Sequence, residues 1–149
     1  MTAALYDLDI HQHADQPIRV PEGNYTAAYS SHTTWLFKGR HPKVVITFII
    51  QDLGEHFGKE IKAYYNVNKL SGKPRKNGHF SAGWKSNFML DYTTLFGKPA
   101  RKDRISMCRF KNCFVTVKAK TVAKNRDQRE YPEDLQYSVV SQILGLVEI

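Results

Sequence analysis

The segment Lys43 to Ile50 constrains this chain most. Val44, Ile46, Phe48 and Ile50 alternate there with Lys43, Val45, Thr47 and Ile49. A period of two places the first four on one face of a strand, and the run is too short to cross a bilayer as a helix. Similar alternation flanks it. Before it, after Pro21-Glu22-Gly23, Tyr25, Ala27 and Tyr29 alternate with smaller residues, and β-rich composition runs on through Trp35 and Phe37 to Gly39. After it, a turn at Gln51–Gly54 leads to a third strand from about His56 to Val67. Ile61, Ala63, Tyr65 and Val67 share one side of that strand, and Lys62 and Tyr64 the other.

Residues 68–85 form a long Gly-rich basic loop, of a length that usually carries function. Ser86 then caps one helix, in which Phe88, Met89, Tyr92, Leu95 and Phe96 recur at spacings of three and four until Gly97 and Pro99. A short turn or half-helix is expected over Ile105–Lys111. The fourth strand sets Cys113, Val115, Val117, Ala119 and Thr121 against Phe114, Thr116, Lys118 and Lys120. A charged hairpin-like loop spans Lys124–Glu130, and the fifth strand runs from about Gln136 to Leu146. Three strands, a helix and two strands predict a mainly β chain: a five-stranded OB-like β-barrel with one helix between strands 3 and 4. Residues 1–20 are expected to be a flexible acidic arm, and 21–149 a single OB-like domain.

Charge narrows the function. Of 149 residues, 22 are Lys or Arg and 14 are Asp or Glu, a formal net charge of +8. The excess is concentrated. Lys69, Lys73, Arg75, Lys76 and Lys85 share a stretch without acids. Eleven basic residues between Lys98 and Arg129 face only Asp103 and Asp127. Such clustering attracts polyanions. Both clusters also contain aromatic residues, and single-stranded nucleic acid needs both ingredients: cations for phosphates and rings for unpaired bases. The candidate nucleic-acid-binding residues are therefore Lys62 and Tyr64 on the third strand, and Phe114, Lys118 and Lys120 on the fourth. Lys69, Lys73, Arg75, Lys76, Phe80, Trp84 and Lys85 join them from the long loop, with Lys124, Arg126 and Arg129 from the late one. Trp35 and Phe37 share parity with Tyr25 and Tyr29, which favours the core for both unless a bulge intervenes.

Other chemistry lacks support. Cys108 and Cys113 have no metal-binding spacing, and the six histidines are scattered, with only His11 and His13 paired. Asp52 and Glu55 read as turn acids. No phosphate-binding loop or nucleophile elbow is present. The expectation is a non-enzymatic binder without cofactor or metal. The N-terminus lacks the apolar stretch of a signal peptide, so a cytoplasmic protein away from membranes is expected.

The segments PEGNYTAAY, KVVITFIIQDLGEHFGKEIKAYYNV, NFMLDYTTLFG and FKNCFVTVKAK together resemble a group of phage and mobile-element proteins. These lie in replication and recombination modules and look like OB-fold single-stranded-DNA-binding proteins. The shared features are Gly23 and Tyr25, Gly54-Glu55-His56-Phe57-Gly58, the helix ending at Gly97, and Val115 and Val117. The likeness covers roughly residues 21–147, and Lys124, Arg126 and Arg129 suit the basic loop such families often carry between their last two strands. It implies coating of single-stranded DNA in a bacterial host cell without strong sequence preference. Recombinase or replication proteins are candidate partners, and self-association is common among such binders. The chain ends Leu144-Gly145-Leu146-Val147-Glu148-Ile149 rather than in a long acidic tail, which speaks against tail-mediated recruitment. The alternative is a protein-interaction module, such as a phage-encoded inhibitor using its basic surface. Duplex DNA or RNA as ligand, and a nuclease acting through Asp52 and Glu55, are further alternatives.

Overall fold

The computed structural model describes residues 18–147. Among these residues there are seven strands: β1 (Gly23–Phe37), β2 (His41–Ile50), β3 (Glu60–Asn66), β4 (Lys69–Leu70), β5 (Phe80–Ser81), β6 (Phe114–Val122) and β7 (Tyr137–Leu146). One α-helix, α1 (Asn87–Phe96), lies between β5 and β6, and short 3-10 turns cover Met107–Asn112 and Glu133–Leu135. Five strands bond in a ring in the order β1-β2-β3-β7-β6, with β6 returning to β1. Every neighbouring pair is antiparallel except β3 and β7, which meet in parallel at Lys62 and Val139. The small β4–β5 hairpin continues from the end of β3. Among the described residues, no helix is long and apolar enough to cross a membrane.

The alternation read from the sequence is the alternation of burial. Val44, Ile46, Phe48 and Ile50 are sealed inside the ring, as are Ile61, Ala63 and Tyr65 from β3 and Val115, Val117 and Ala119 from β6. The helix also follows its sequence signals. Ser86 caps its first turn by accepting from Met89 N–H, and Gly97, at φ 84°, ends it by donating to Thr93 O. Three boundaries differ from expectation. The third strand begins at Glu60, because residues 52–58 bend and turn in place of extending. Residues Met107–Asn112 form a full 3-10 turn that carries Phe110 into the core. The expected arm over residues 1–20 mostly lies outside the described residues, but its end is fixed. Ile18 O accepts from Ser138 N–H at 2.9 Å, and Val20 is buried with its N–H donating to Ser138 Oγ at 2.8 Å.

Asp91 joins the helix to the ring. Its carboxylate accepts from Tyr65 O–H at 2.7 Å and from Ile143 N–H at 3.4 Å, which satisfies a backbone donor of β7. Burial raises the Asp91 pKa above the usual carboxylate value, and the two hydrogen bonds oppose that rise. Removing the phenol leaves Asp91 buried with one donor fewer. Tyr65→Phe is therefore expected to lower unfolding stability by about 1–3 kcal/mol, measured by urea titration at neutral pH. Because the folded-state pKa of Asp91 is raised, its contribution is complete below the usual carboxylate value and is lost as pH rises through the folded one. The Tyr65→Phe deficit should accordingly shrink at acid pH, where Asp91 is protonated.

Candidate nucleic-acid interface

The geometry of the outward surface is set by one inserted residue. In the β1–β2 ladder Tyr29 faces Phe48 and Ser31 faces Thr47, which leaves Ser30 unmatched. A bulge of this kind reverses the faces of the residues that follow. Before it, Ala27 is buried and Tyr25 and Tyr29 pack on the core; after it, His32 and Thr34 are buried instead. Trp35 and Phe37 are thereby moved to the outer side. This corrects the sequence expectation, which favoured the core for both.

Register then assembles a surface from three strands, since paired residues share a face. Trp35 is opposite Lys43, which is opposite Asn66; Thr33 is opposite Val45, which is opposite Tyr64. Trp35 and Tyr64 meet edge to face, with ring centroids 6.3 Å apart. Val45 is only 2% exposed although it lies outside the core cluster, so this face has a small apolar floor of its own. The Trp35 indole N–H is buried there without a hydrogen-bond partner.

Beside this pair, three cations surround one ring. Arg126 lies 4.8 Å from the Phe37 centroid, Lys43 Nζ 5.4 Å and Lys38 Nζ 5.7 Å. Lys43 also donates to Asn66 Oδ1. Burial first, then the Arg126 charge, lowers the Lys43 pKa from its ordinary value. Among the described residues the one ion pair is Arg101 with Asp103, so no carboxylate offsets this group.

Several expected residues converge here. Lys62 and Tyr64 point outward between buried Ile61, Ala63 and Tyr65. Lys62 and Lys120 flank Val139 of β7 from either side, two strand spacings or roughly 10 Å apart. Lys118 is one pleat further along β6, also exposed. Lys76 bridges to Thr33 of β1, which extends the Thr33–Val45–Tyr64 row by one residue. Arg126 arrives on the hairpin closed by Lys124 and Glu130, which also carries Arg129.

Other expected residues lie elsewhere. Phe80 is 4% exposed, packed edge-on to Phe88 at 5.0 Å and to His32 at 5.9 Å, so it has no face to offer a base. Phe114 is outward and 39% exposed, but it is six residues, or about 20 Å, along β6 from Lys120. Lys69 and Lys73 are exposed on the 68–79 loop, and Arg75 bends back to donate to Ser71 O and Lys73 O. Trp84 and Lys85 are exposed just ahead of α1. Trp35, Phe37, Lys38 and Lys43 also lie on the β1–β2–β3 face: the sequence reading had favoured the core for the two aromatics and had not named the two lysines as candidates.

Asp52 accepts from Thr26 N–H, and Cys108 and Cys113 are free thiols. Among the described residues, no three His, Cys, Asp or Glu side chains group as a metal site; His11 and His13 lie outside those residues. No family model matches this chain, and no match is found among curated proteins or among solved structures.

His32 secures the basic loop to this surface. Gly78 O can only accept, so His32 Nε2 carries the proton and donates to it at 2.8 Å, while Nδ1 accepts from Tyr29 O–H at 2.8 Å. Burial pushes the Tyr29 phenol up to about 12, with a smaller effect of Cys108, which keeps it protonated. Gly78 is needed for the close approach, because a Cβ there would stand 2.7 Å from Thr34 Oγ1. Burial lowers the His32 pKa; the bond to Gly78 opposes this and neighbouring His79 reinforces it. A depressed imidazole contributes stability above the unfolded value of 6.5, and that contribution is lost as pH falls through the folded one. Hydrogen exchange at the Asn77 and Arg75 amides, bonded to His32 O and Thr34 Oγ1, should therefore quicken relative to β2 amides on acidification. His32→Gln is expected to flatten that pH dependence.

Proposed function

We propose that this chain is a single-stranded-DNA-binding protein of OB-like architecture, of phage or mobile-element type, acting without strong sequence preference. The observation that carries the reading is the convergence on one face of Trp35, Tyr64 and Phe37 with Arg126, Lys43 and Lys38. The topology supports it. Numbered around the ring, the strands run first, second, third, fifth and fourth, with the helix between third and fourth. In OB folds the face of strands two and three binds oligonucleotides, together with the loops joining strands one to two and four to five. Here those loops are the Lys38–Arg40 turn and residues 123–136, and they supply Lys38 and Arg126.

The proposed mechanism has two parts. Phosphates exchange their counterions for Lys and Arg side chains, and unpaired bases stack on the outward rings. Neither part reads base identity. Most of the surface is built on β-strands, so little backbone freedom has to be lost on binding. The proposed role is coating and protection, with replication or recombination proteins as partners.

Fluorescence anisotropy with a labelled oligothymidylate tests this. The logarithm of affinity should fall linearly with the logarithm of salt, by about 0.7 for each phosphate neutralised, and Arg126→Ala should reduce that slope by about one such step. Trp35→Ala and Tyr64→Ala should each weaken binding by about 1–3 kcal/mol. Affinity that ignores salt, or that survives loss of Trp35 unchanged, rules out this face. Tighter binding to duplex DNA or RNA in competition would reassign the ligand, and binding only to a protein would favour the interaction module.

A further inference from the structure

A second aromatic–cation arrangement lies outside the β1–β2–β3 face. Trp84 is 40% exposed, two residues ahead of the Ser86 cap of α1. Lys98 Nζ stands 4.9 Å from its ring centroid. The indole borders an open depression of about 430 Å³ whose other walls are Ser81, Ala100, Arg101, Lys102 and Asp103. Two chain segments form it, and they are tied together where Ala82 N–H donates to Lys102 O at 3.3 Å. Asp103 is engaged by Arg101 at 2.9 Å; among the described residues Lys98 and Lys102 have no acidic partner.

An indole this exposed gains little from the core. Its ring and the two unpaired ammonium groups match the chemistry of a nucleotide, a flat apolar base attached to a phosphate. A short stretch of chain also links the depression to the first face. Asn66 ends β3 beside Lys43, and two residues later Asn68 N–H donates to the carbonyl of Ser81, a wall residue. From Tyr64 to Asn68 an extended chain covers about 13 Å.

Resting on the strand-binding reading above, we propose that the Trp84 depression is a second subsite for the same single strand. It takes a base against Trp84 and a phosphate between Lys98 and Lys102, beyond the segment held by Trp35 and Tyr64. Lys98 and Lys102 belong to the basic cluster read from the sequence, although neither was among the individual candidate residues. A strand then engages the protein in two separated places, and its length decides whether the second is filled.

The experiment compares oligothymidylates of about four and about sixteen nucleotides, the span of site sizes for one OB fold. Trp84→Ala should weaken binding of the longer strand roughly five- to hundredfold and leave the shorter within about twofold. Trp84→Phe should retain most of the affinity, which guards against a folding artefact. Lys98→Gln should lower the salt slope by about 0.7 for the longer strand alone. In Trp35→Phe, where Trp84 is the remaining tryptophan, the longer strand should quench the fluorescence and the shorter should not. Trp84→Ala affecting both lengths equally, or neither, overturns the subsite. The first face fails independently, if Trp35→Ala leaves binding of the short strand unchanged.

Discussion

The unmatched Ser30 of β1 is the constraint on which the surface depends. A continuous period of two would direct Trp35 and Phe37 into the ring and His32 and Thr34 out of it. One extra residue exchanges the pairs. The exchange has two consequences with a single cause. Outside, it gives a row of large rings with no core to fill. Inside, it leaves two polar side chains that need partners, and the 71–79 loop provides them: Gly78 O for His32, and Arg75 O for the Thr34 backbone and hydroxyl. The basic loop is therefore held against β1 by the same irregularity that exposes the aromatics, and this edge of β1 is covered instead of left open to another chain.

The interior is organised by rings that close on themselves. His32 contacts Phe80, Phe80 contacts Phe88, and Tyr92, Phe96 and Phe110 follow before Tyr29 returns to His32. Centroid separations around this circuit run from 5.0 Å between Phe80 and Phe88 to 6.3 Å between Tyr29 and His32. It joins β1, β5, α1 and the 3-10 turn, four elements with few backbone bonds between them. The helix has no role on the binding face. It acts as a packed wedge that fixes β1 and β7 from within, through the rings and through Asp91. If the outward face binds as proposed, strands held this way would keep its rings in place before a ligand arrives.

The sequence made legible whatever depends on local periodicity. Val44 to Ile50, Ile61 to Tyr65, the Val115–Ala119 face and the Ser86 and Gly97 caps all follow from neighbouring residues. What escaped depends on pairing between distant ones. Ser30 carries no glycine or proline to advertise a bulge; its effect is defined only against β2. Phe80 and Phe110 sit in loops by pattern and in the core by packing. Parity correctly put Tyr64 and Phe114 on outward faces, yet a face is not a place: only strand order shows that Tyr64 joins Trp35 while Phe114 ends far along β6. Asp91 carries no local signal of its role, because its partners, Tyr65 and Ile143, are 26 and 52 residues away.

Under the proposed function, the arrangement around Phe37 would let affinity and indifference to sequence go together. Three like charges gathered near one ring repel one another in the free protein, and the lowered pKa of Lys43 reflects burial with Arg126 close by. The negative face of the ring offsets part of that repulsion. A phosphate entering the group relieves the rest, and every nucleotide brings the same phosphate. Trp35 and Tyr64 likewise offer surfaces that any base can cover. The exception is the Trp35 indole N–H, the one buried side-chain donor left unpaired among the described residues. It is sealed from solvent, so a ligand that leaves the packing intact does not reach it. Its unmet hydrogen bond raises the free energy of the unliganded and liganded states alike, and so adds no preference for one base over another.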